Sequence, residues 1–495
     1  MKVLLLYPKF PDTFWSFKYA LRFILKEATN PPLGLLTVAS LLPDDWEIRL
    51  LDMNVDSVND RMLKWADYVF ISAMAVQRES VNKIIDRCQK LGVKIVGGGP
   101  LFTSEPDNYP QVDHLVLNEA EITLPAFLED LQKGSLKRIY TSNEWADLAK
   151  TPIPRWDLID FRKYVSMCLQ YSRGCPFECD FCDITTLYGR IPRTKSKEQV
   201  VAELDSLYNH GWRGGVFMVD DNFIGNKKKL KEETLPVITE WMKEHKHPFT
   251  FYTQTSINLA DDEELMKLMV QVGFNMVFIG IETPNEDSLA ECNKIQNKSR
   301  DLVASVKKIQ HFGLQVQGGF IVGFDSDPPT IFEKQIEFIQ KSGIVTAMVG
   351  LLSAMRGTKL YQRLSNEKRI IKDGSGNNTD FTVNFIPKMP YETLLDGYKK
   401  IIATIYAPEH YYSRIKEFLK EYRPFTKRTV RISWCDLEAF FKSLFVIGFL
   451  GKERVHFWKL LGWSIIKRPT LFPLAVTYAI YGFHFRKVFE SYLDF

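Results

Sequence analysis

Three of the seven cysteines fall within eight residues, Cys175-Pro-Phe-Glu-Cys179-Asp-Phe-Cys182, directly after Ser172-Arg173-Gly174. Thiols at the spacing C-x3-C-x2-C in a reducing compartment point to a metal or an iron–sulfur cluster. A tetrahedral zinc site would want a fourth ligand. Cys168 lies on the preceding strand and points elsewhere, and no CxxC or HxxxH partner stands in the next 100 or so residues. Three thiolates on a four-iron cluster leave one iron open to a further ligand, so the cluster is preferred over zinc or an inert thiol group. Cys88, Cys292 and Cys435 stand alone and read as packing residues; Cys168 reads as a buried strand residue, with a redox or substrate-side role as the alternative. The eight histidines are scattered, and none is nominated as a ligand.

The rest of the chain must position that loop. Its 495 residues suggest two or three domains, and 45% hydrophobic with 25% charged residues is globular composition. Lys+Arg 64 against Asp+Glu 60 is too balanced to imply nucleic acid. Seven cysteines are too few, and odd in number, for a disulfide scaffold, so a reducing cytoplasm is expected. The opening MKVLLLYPKFPD lacks the apolar core of a secretory signal. The longest uncharged stretch near the C-terminus, Thr470 to Phe485, contains Pro473 and is too short to span a bilayer.

Short apolar runs alternate with helical patterns. Strands are expected at Val3–Tyr7, Ile48–Asp52, Tyr68–Ser72, Lys94–Val96 and His114–Leu117, a parallel sheet covered on both faces. Ligands of such sheets sit outside the carboxyl ends of the strands. Those ends read Asp52-Met53-Asn54, Ser72-Ala73, Gly97-Gly98-Gly99-Pro100 and Asn118-Glu119. The glycines would let a large ligand approach the backbone, or simply make a tight turn. After Thr151-Pro152-Ile153-Pro154, six more strands follow at Val165–Gln170, Gly215–Val219, Phe249–Thr253, Met276–Ile281, Val316–Val322 and Ala347–Leu352. Six β/α units fall short of a closed eight-unit barrel. The expected α/β architecture is a doubly wound parallel sheet over 1–150, a partial barrel over 151–355 and a mostly helical, aromatic-rich extension over 356–495.

C-x3-C-x2-C with Phe181 before the last cysteine resembles the signature of the radical S-adenosylmethionine (SAM) superfamily. Val219-Asp220-Asp221-Asn222 and Phe278-Ile279-Gly280-Ile281-Glu282 resemble its SAM-binding segments. The first 150 residues resemble the cobalamin-binding domain of one large branch, with Asn118-Glu119-Ala120-Glu121 where that branch commonly reads Gly-Glu-Ala-Glu. Phe10-Pro11-Asp12-Thr13-Phe14-Trp15-Ser16-Phe17 and residues 319–327 are similar to the hopanoid A-ring methylase group. Two departures stand out: no Asp-x-His-x-x-Gly is present, so cobalamin would lack a histidine ligand, and Arg356 replaces a frequent Pro before Gly357-Thr358.

The resemblance implies that Cys175, Cys179 and Cys182 hold a 4Fe–4S cluster whose open iron chelates SAM. Phe181 would pack on the adenine, Asp221 would take the SAM ammonium and Glu282 the ribose; helix capping by Asp221 and a barrel-top salt bridge at Glu282 are the alternatives. Asp52, Asn54, Ser72, Gly97, Gly98, Gly99 and Glu119 would contact cobalamin. The implied activity is methylation of an unactivated carbon of an apolar, isoprenoid- or hopanoid-like substrate, with electrons from a donor such as a flavodoxin or ferredoxin. A radical rearrangement or cyclisation without methyl transfer, or modification of tRNA, is the alternative. Nucleic acid is disfavoured because no RNA-binding module is recognisable.

The last 85 residues are compositionally distinct. From Tyr411 to Phe495 there are 15 Lys/Arg against 7 Asp/Glu, a net of +8, and 21 of the 65 aromatics. That pattern suits peripheral contact with the inner face of an anionic membrane, or a helical cap on the barrel. Tyr406, His410, Tyr411 and Tyr412 could line a substrate cleft or pack as core.

Overall fold

The computed structural model describes residues 1–424 and 434–493. Its first sheet contains β1 (Lys2–Tyr7), β2 (Glu47–Asp52), β3 (Tyr68–Ser72), β4 (Lys94–Gly98), β5 (His114–Val116) and β6 (Ile139–Tyr140), all parallel, in the order β2-β1-β3-β4-β5-β6. Successive residues of β1 feed opposite cores. Leu4 and Leu6 pack with Ile84 and Ile85 of helix Arg78–Leu91, whereas Val3 and Leu5 pack with Leu124 and Phe127 of helix Ala120–Lys133. Two-faced burial explains the near-continuous Val/Leu/Ile runs. The strand order turns back between β1 and β3, which places the ligand crevice outside their carboxyl ends. β6 is only two residues long, too short for its pattern to mark it.

The second sheet holds β7 (Ser166–Leu169), then β10 (Gly214–Met218), β11 (Phe249–Thr255), β12 (Phe274–Glu282), β13 (Gln315–Val322) and β14 (Ala347–Leu351), parallel and in sequential order. Sequential order with a helix after each strand curls the sheet into the partial barrel expected. An unanticipated antiparallel pair, β8 (Ser172–Arg173) with β9 (Arg193–Thr194), brackets the cysteine loop. On β7, β10, β11 and β12, Met167, Val216, Phe251 and Val277 are buried against the helices. Their alternates Gln170, Phe217, Tyr252, Gln254, Met276 and Phe278 are only half-buried, so the inner wall is open.

The remainder is helical, with helices Lys359–Asn366, Tyr391–Tyr406, Pro408–Glu421, Trp434–Val446, Arg454–Lys467 and Phe472–Phe489. Tyr406, Tyr411, Tyr412, Phe418, Phe485 and Phe489 are core, so the three tyrosines do not line a cleft. The last helix traps the Phe10–Phe17 segment against the barrel. Phe14 stacks on Phe485 at 4.2 Å and Trp15 meets Phe278 edge-on at 5.5 Å. Arg356, the departure noted above, pairs with Asp373 at 2.7 Å. Among the described residues no helix is long and apolar enough to cross a membrane.

His484 Nε2 donates to the Phe14 carbonyl at 3.0 Å from a fully buried position. Burial lowers its pKa to about 4, against the smaller opposing effects of that bond and of Asp12. The unfolded chain therefore takes up a proton near pH 6.5 that the folded chain refuses down to about 4. Stability is present above that window and is lost as pH falls through it, by about 3 kcal/mol at the acid end. His484→Gln keeps a donor without titrating. Its unfolding temperature should fall less steeply with acid than that of the unsubstituted protein; parallel slopes would contradict this account.

Candidate active site

The cysteine loop leaves β8 at the carboxyl end of the barrel and is braced from two sides. Three consecutive residues after β10 hold its near side. Asp220 accepts from the Tyr171 N–H at 3.2 Å, the Ser172 Oγ at 2.6 Å and the Ser172 N–H. Asp221 accepts from the Gly174 N–H at 2.9 Å, and Asn222 Nδ2 lies 3.9 Å from Cys175 Sγ. The segment after β12 holds the far side: the Asp180 N–H donates to the Cys292 carbonyl at 3.0 Å, and Gln296 Nε2 lies 3.8 Å from Cys179 Sγ. Asp221 does not begin a helix, since the next helical turn starts at Lys227 and is capped by Asn226. Burial raises Asp221 to about 6, opposed by the Gly174 N–H.

Glu282 ends β12 beside a register shift and has φ +64°, a conformation that non-glycine residues rarely adopt. Its Oε1 accepts from Lys294 Nζ at 2.7 Å, so the barrel-top salt bridge is present. Lys294 also lies 5.9 Å from the Phe181 ring centre. Burial works against its ammonium, but Glu282 and Cys179 outweigh burial and raise its pKa. Lys294 and Gln296 were not foreseen; nothing in their spacing marks them.

Glu119 links the two sheets. Its carboxylate accepts from Arg173 Nη1 at 3.0 Å, from Arg193 at 2.8 and 3.0 Å, and from the Ala146 N–H at 2.6 Å. Glu121 adds two bonds to Arg173, at 2.7 and 3.1 Å. Both carboxylate oxygens of Glu119 are thus taken up by protein, which makes it a positioning residue at the contact between the two sheets. Asn118 before it has φ +63°, a conformation that asparagine tolerates better than most residues other than glycine. Asp52 is likewise spoken for: it accepts from Tyr164 Oη at 3.0 Å and from Asn54. Asn54 in turn accepts from the Phe10 N–H at 2.9 Å. Gly97 is enclosed by Leu115 and Phe102, whereas Gly99, at φ +85°, would place a Cβ 2.7 Å from Ser72 Oγ. The glycines therefore serve the tight turn, and Ser72, Gly98 and Gly99 line the carboxyl edge. His114 lies at the start of β5, the opposite edge.

The chain matches the family models for the B12 binding domain over residues 27–128, the Radical SAM superfamily over 169–339 and a Domain of unknown function (DUF4070) over 358–494. It is 32% identical over 472 residues to the hopanoid C-2 methylase of Rhodopseudomonas palustris, covering 92% of this chain and 88% of that protein. It is 41% identical over 490 residues to an uncharacterized methyltransferase of Synechocystis, covering 98% and 91%. The chain belongs to the cobalamin-dependent radical SAM methyltransferases. The cobalamin-dependent radical SAM enzyme OxsB shares its fold, with TM-score 0.63 at 14% identity over 99% of this chain and 79% of that one.

Radical SAM and B12-binding domains imply that this methyltransferase uses a 4Fe–4S cluster, SAM and cobalamin. The loop fits the cluster. Burial raises the pKa of all three thiols, so thiolates would persist there only beside a compensating cation. A 4Fe–4S cluster asks each thiolate only for its own iron, so the three cysteines need not converge on one point. The carboxyl ends of β1 and β3, where the strand order turns back, leave Tyr7 half-buried and Met74 exposed, open to a ligand on that edge.

Glu119→Ala would strip the largely buried Arg193 of its carboxylate partner and leave Arg173 with Glu121 alone. Removing one partner of a buried ion pair costs on the order of 3–5 kcal/mol. The variant should become sensitive to limited proteolysis between the two sheets, while Lys83→Ala, which breaks an exposed pair, should not. Equal protease resistance of both variants would dismiss the clamp.

Proposed function

We propose that this enzyme methylates an unactivated carbon of an apolar, isoprenoid- or hopanoid-like substrate. Cys175, Cys179 and Cys182 hold the cluster; Phe181, Asp221 and Glu282 surround SAM; Ser72, Gly98 and Gly99 face cobalamin. When bound, the cluster delivers the electron that cleaves SAM, and cobalamin carries the methyl group. A flavodoxin or ferredoxin is the electron source.

The observation that carries this reading is the inner wall of the barrel. Phe217 and Tyr252 stack at 4.7 Å, Met276 and Phe278 follow on β12, and Trp15 closes over Phe278. Below Glu282 the inward rows of β7 to β13 carry amides, Gln170, Gln254, Gln315 and Gln317, but no charge. Such a chamber would bind an apolar skeleton by burial and exclude water from the reacting carbon. Asn30 reaches in from the first domain, with Nδ2 2.8 Å from Ser166 Oγ and 3.1 Å from Tyr252 Oη, and so ties the chamber floor to the cobalamin side. The hopanoid C-2 methylase relative acts, by its name, on a substrate of this kind.

Replacing Cys175, Cys179 and Cys182 together by Ala should abolish bound iron and SAM cleavage while circular dichroism stays unchanged, since the loop lies outside the strand core. Retention of about four irons, as in a complete 4Fe–4S cluster, would reject the assignment. The reaction is tested in a deletion strain and its complemented parent fed methyl-labelled methionine. Lipid profiling should find a labelled lipid only with the gene present. A new but unlabelled product would mean rearrangement or cyclisation instead.

A further inference from the structure

The aromatic tail divides into core and surface. In helix Arg454–Lys467, Phe457, Leu460 and Leu461 are buried, yet Val455, Trp458, Ile465 and Ile466 face outward. In helix Trp434–Val446 and the turn after it, Phe441, Phe445 and Phe449 recur every four residues and are 64%, 60% and 70% exposed. Phe445 and Phe449 stack at 6.2 Å, and Trp458 Nε1 donates to the Gly448 carbonyl at 2.9 Å, which joins the two helices into one ridge. An apolar face of this extent on a globular protein marks an interaction site.

The charges around the ridge decide what covers it. Among the described residues from 434 to 468, the exposed cations are Lys452, Arg454, Lys459 and Lys467, and the exposed acid is Asp436. Glu453 is buried against Arg486 at 2.6 Å, and Glu438 is paired with Lys442 at 2.7 Å. A second copy presenting the same face would set cations against cations. An anionic bilayer meets both needs, taking the rings among its acyl chains and the Lys/Arg at its headgroups. No described helix can span, so the contact lies in the interface plane.

We infer that helices Trp434–Val446 and Arg454–Lys467 dock this enzyme on an anionic membrane surface, with Phe441, Phe445, Phe449, Trp458 and Ile466 inserted. The inference deepens the proposed substrate reading, since an apolar substrate resides in a bilayer, but its observations are independent of it. Lys442 Nζ lies 3.3 Å from the Arg22 carbonyl, so the docked helices adjoin the N-terminal segment whose Trp15 reaches the chamber.

The test is flotation of the full-length, iron-loaded protein with phosphatidylcholine vesicles, with and without phosphatidylglycerol. Binding should require phosphatidylglycerol, weaken with salt, and drop at least tenfold in F445S/F449S/I466S with iron content and detergent-phase SAM cleavage intact. Lys459→Glu with Lys467→Glu should weaken binding to anionic vesicles alone. Vesicle binding that the triple variant retains, or that the unsubstituted protein lacks, overturns the inference. So does a dimer that the triple substitution dissociates, because a second copy then covers the face. Binding without any methyl-labelled lipid would sustain this surface and remove only the substrate reading.

Discussion

Arg173 stands two residues before the first cysteine of the C-x3-C-x2-C loop, yet its partners Glu119 and Glu121 belong to the other sheet. The distance between the cysteine loop and the first sheet is set most directly by this contact. Burial opposes the guanidinium charge, but the two carboxylates outweigh it and raise the Arg173 pKa, so it stays ionised. Arg193 grips Glu119 from β9, the strand that closes the cysteine loop. Buried ion pairs are poor contributors to net stability against apolar alternatives; what they supply is a single geometry, because every displaced arrangement strands a charge. A methyl carrier and a cleavage site that must address one substrate carbon need that kind of contact more than a slippery apolar interface.

The rest of the scaffold repeats the logic with neutral groups. Tyr164, just before β7, donates to Asp52 at the end of β2, and Asn30 crosses to Ser166 and Tyr252. These bonds tie the carboxyl end of β2 and the Asn30 segment to the amino end of β7 and the middle of β11. The cysteine loop is treated the same way, with Asp220, Asp221 and Asn222 each bracing a successive stretch of it. Acids this buried are costly, and burial raises Asp220 to about 7; its bonds to Ser172 and Tyr171 offset that burden.

How much of this the sequence discloses depends on the range of the interaction. The eleven long strands are legible because their apolar runs repeat at fixed intervals, and the cysteine loop because its ligands are local. β6 and the β8–β9 pair escape notice because two residues make no period. Lys294 and Arg193 escape it because their roles exist only once distant elements fold together. Glu119 is legible as a motif, but not its bonds to Arg173 and Arg193, since a conspicuous acid at a strand end looks the same whether it meets a ligand or another domain's arginine. Composition marks the C-terminal tail as aromatic and basic, but only packing shows that Tyr411 and Phe485 are core while Phe445 and Ile466 are not.

The segment Phe10–Phe17 connects these findings. It leaves the crevice edge after β1, held by the Asn54 bond to Phe10, and sends Trp15 over the barrel's inner wall. Phe14 and Phe17 then lock into the last helix through Phe485 and Tyr481. One short stretch thus touches the cobalamin side, the chamber and the helical cap. Aromatic side chains suit this task because they bury large area with few rotatable bonds, so the three regions are joined without loose packing. The buried His484 completes the joint by fixing the Phe14 carbonyl. On the proposed reading, a chamber covered by the N-terminal segment would stay dry while adjoining the helices that face outward, the adjacency that an apolar substrate drawn from a bilayer would need.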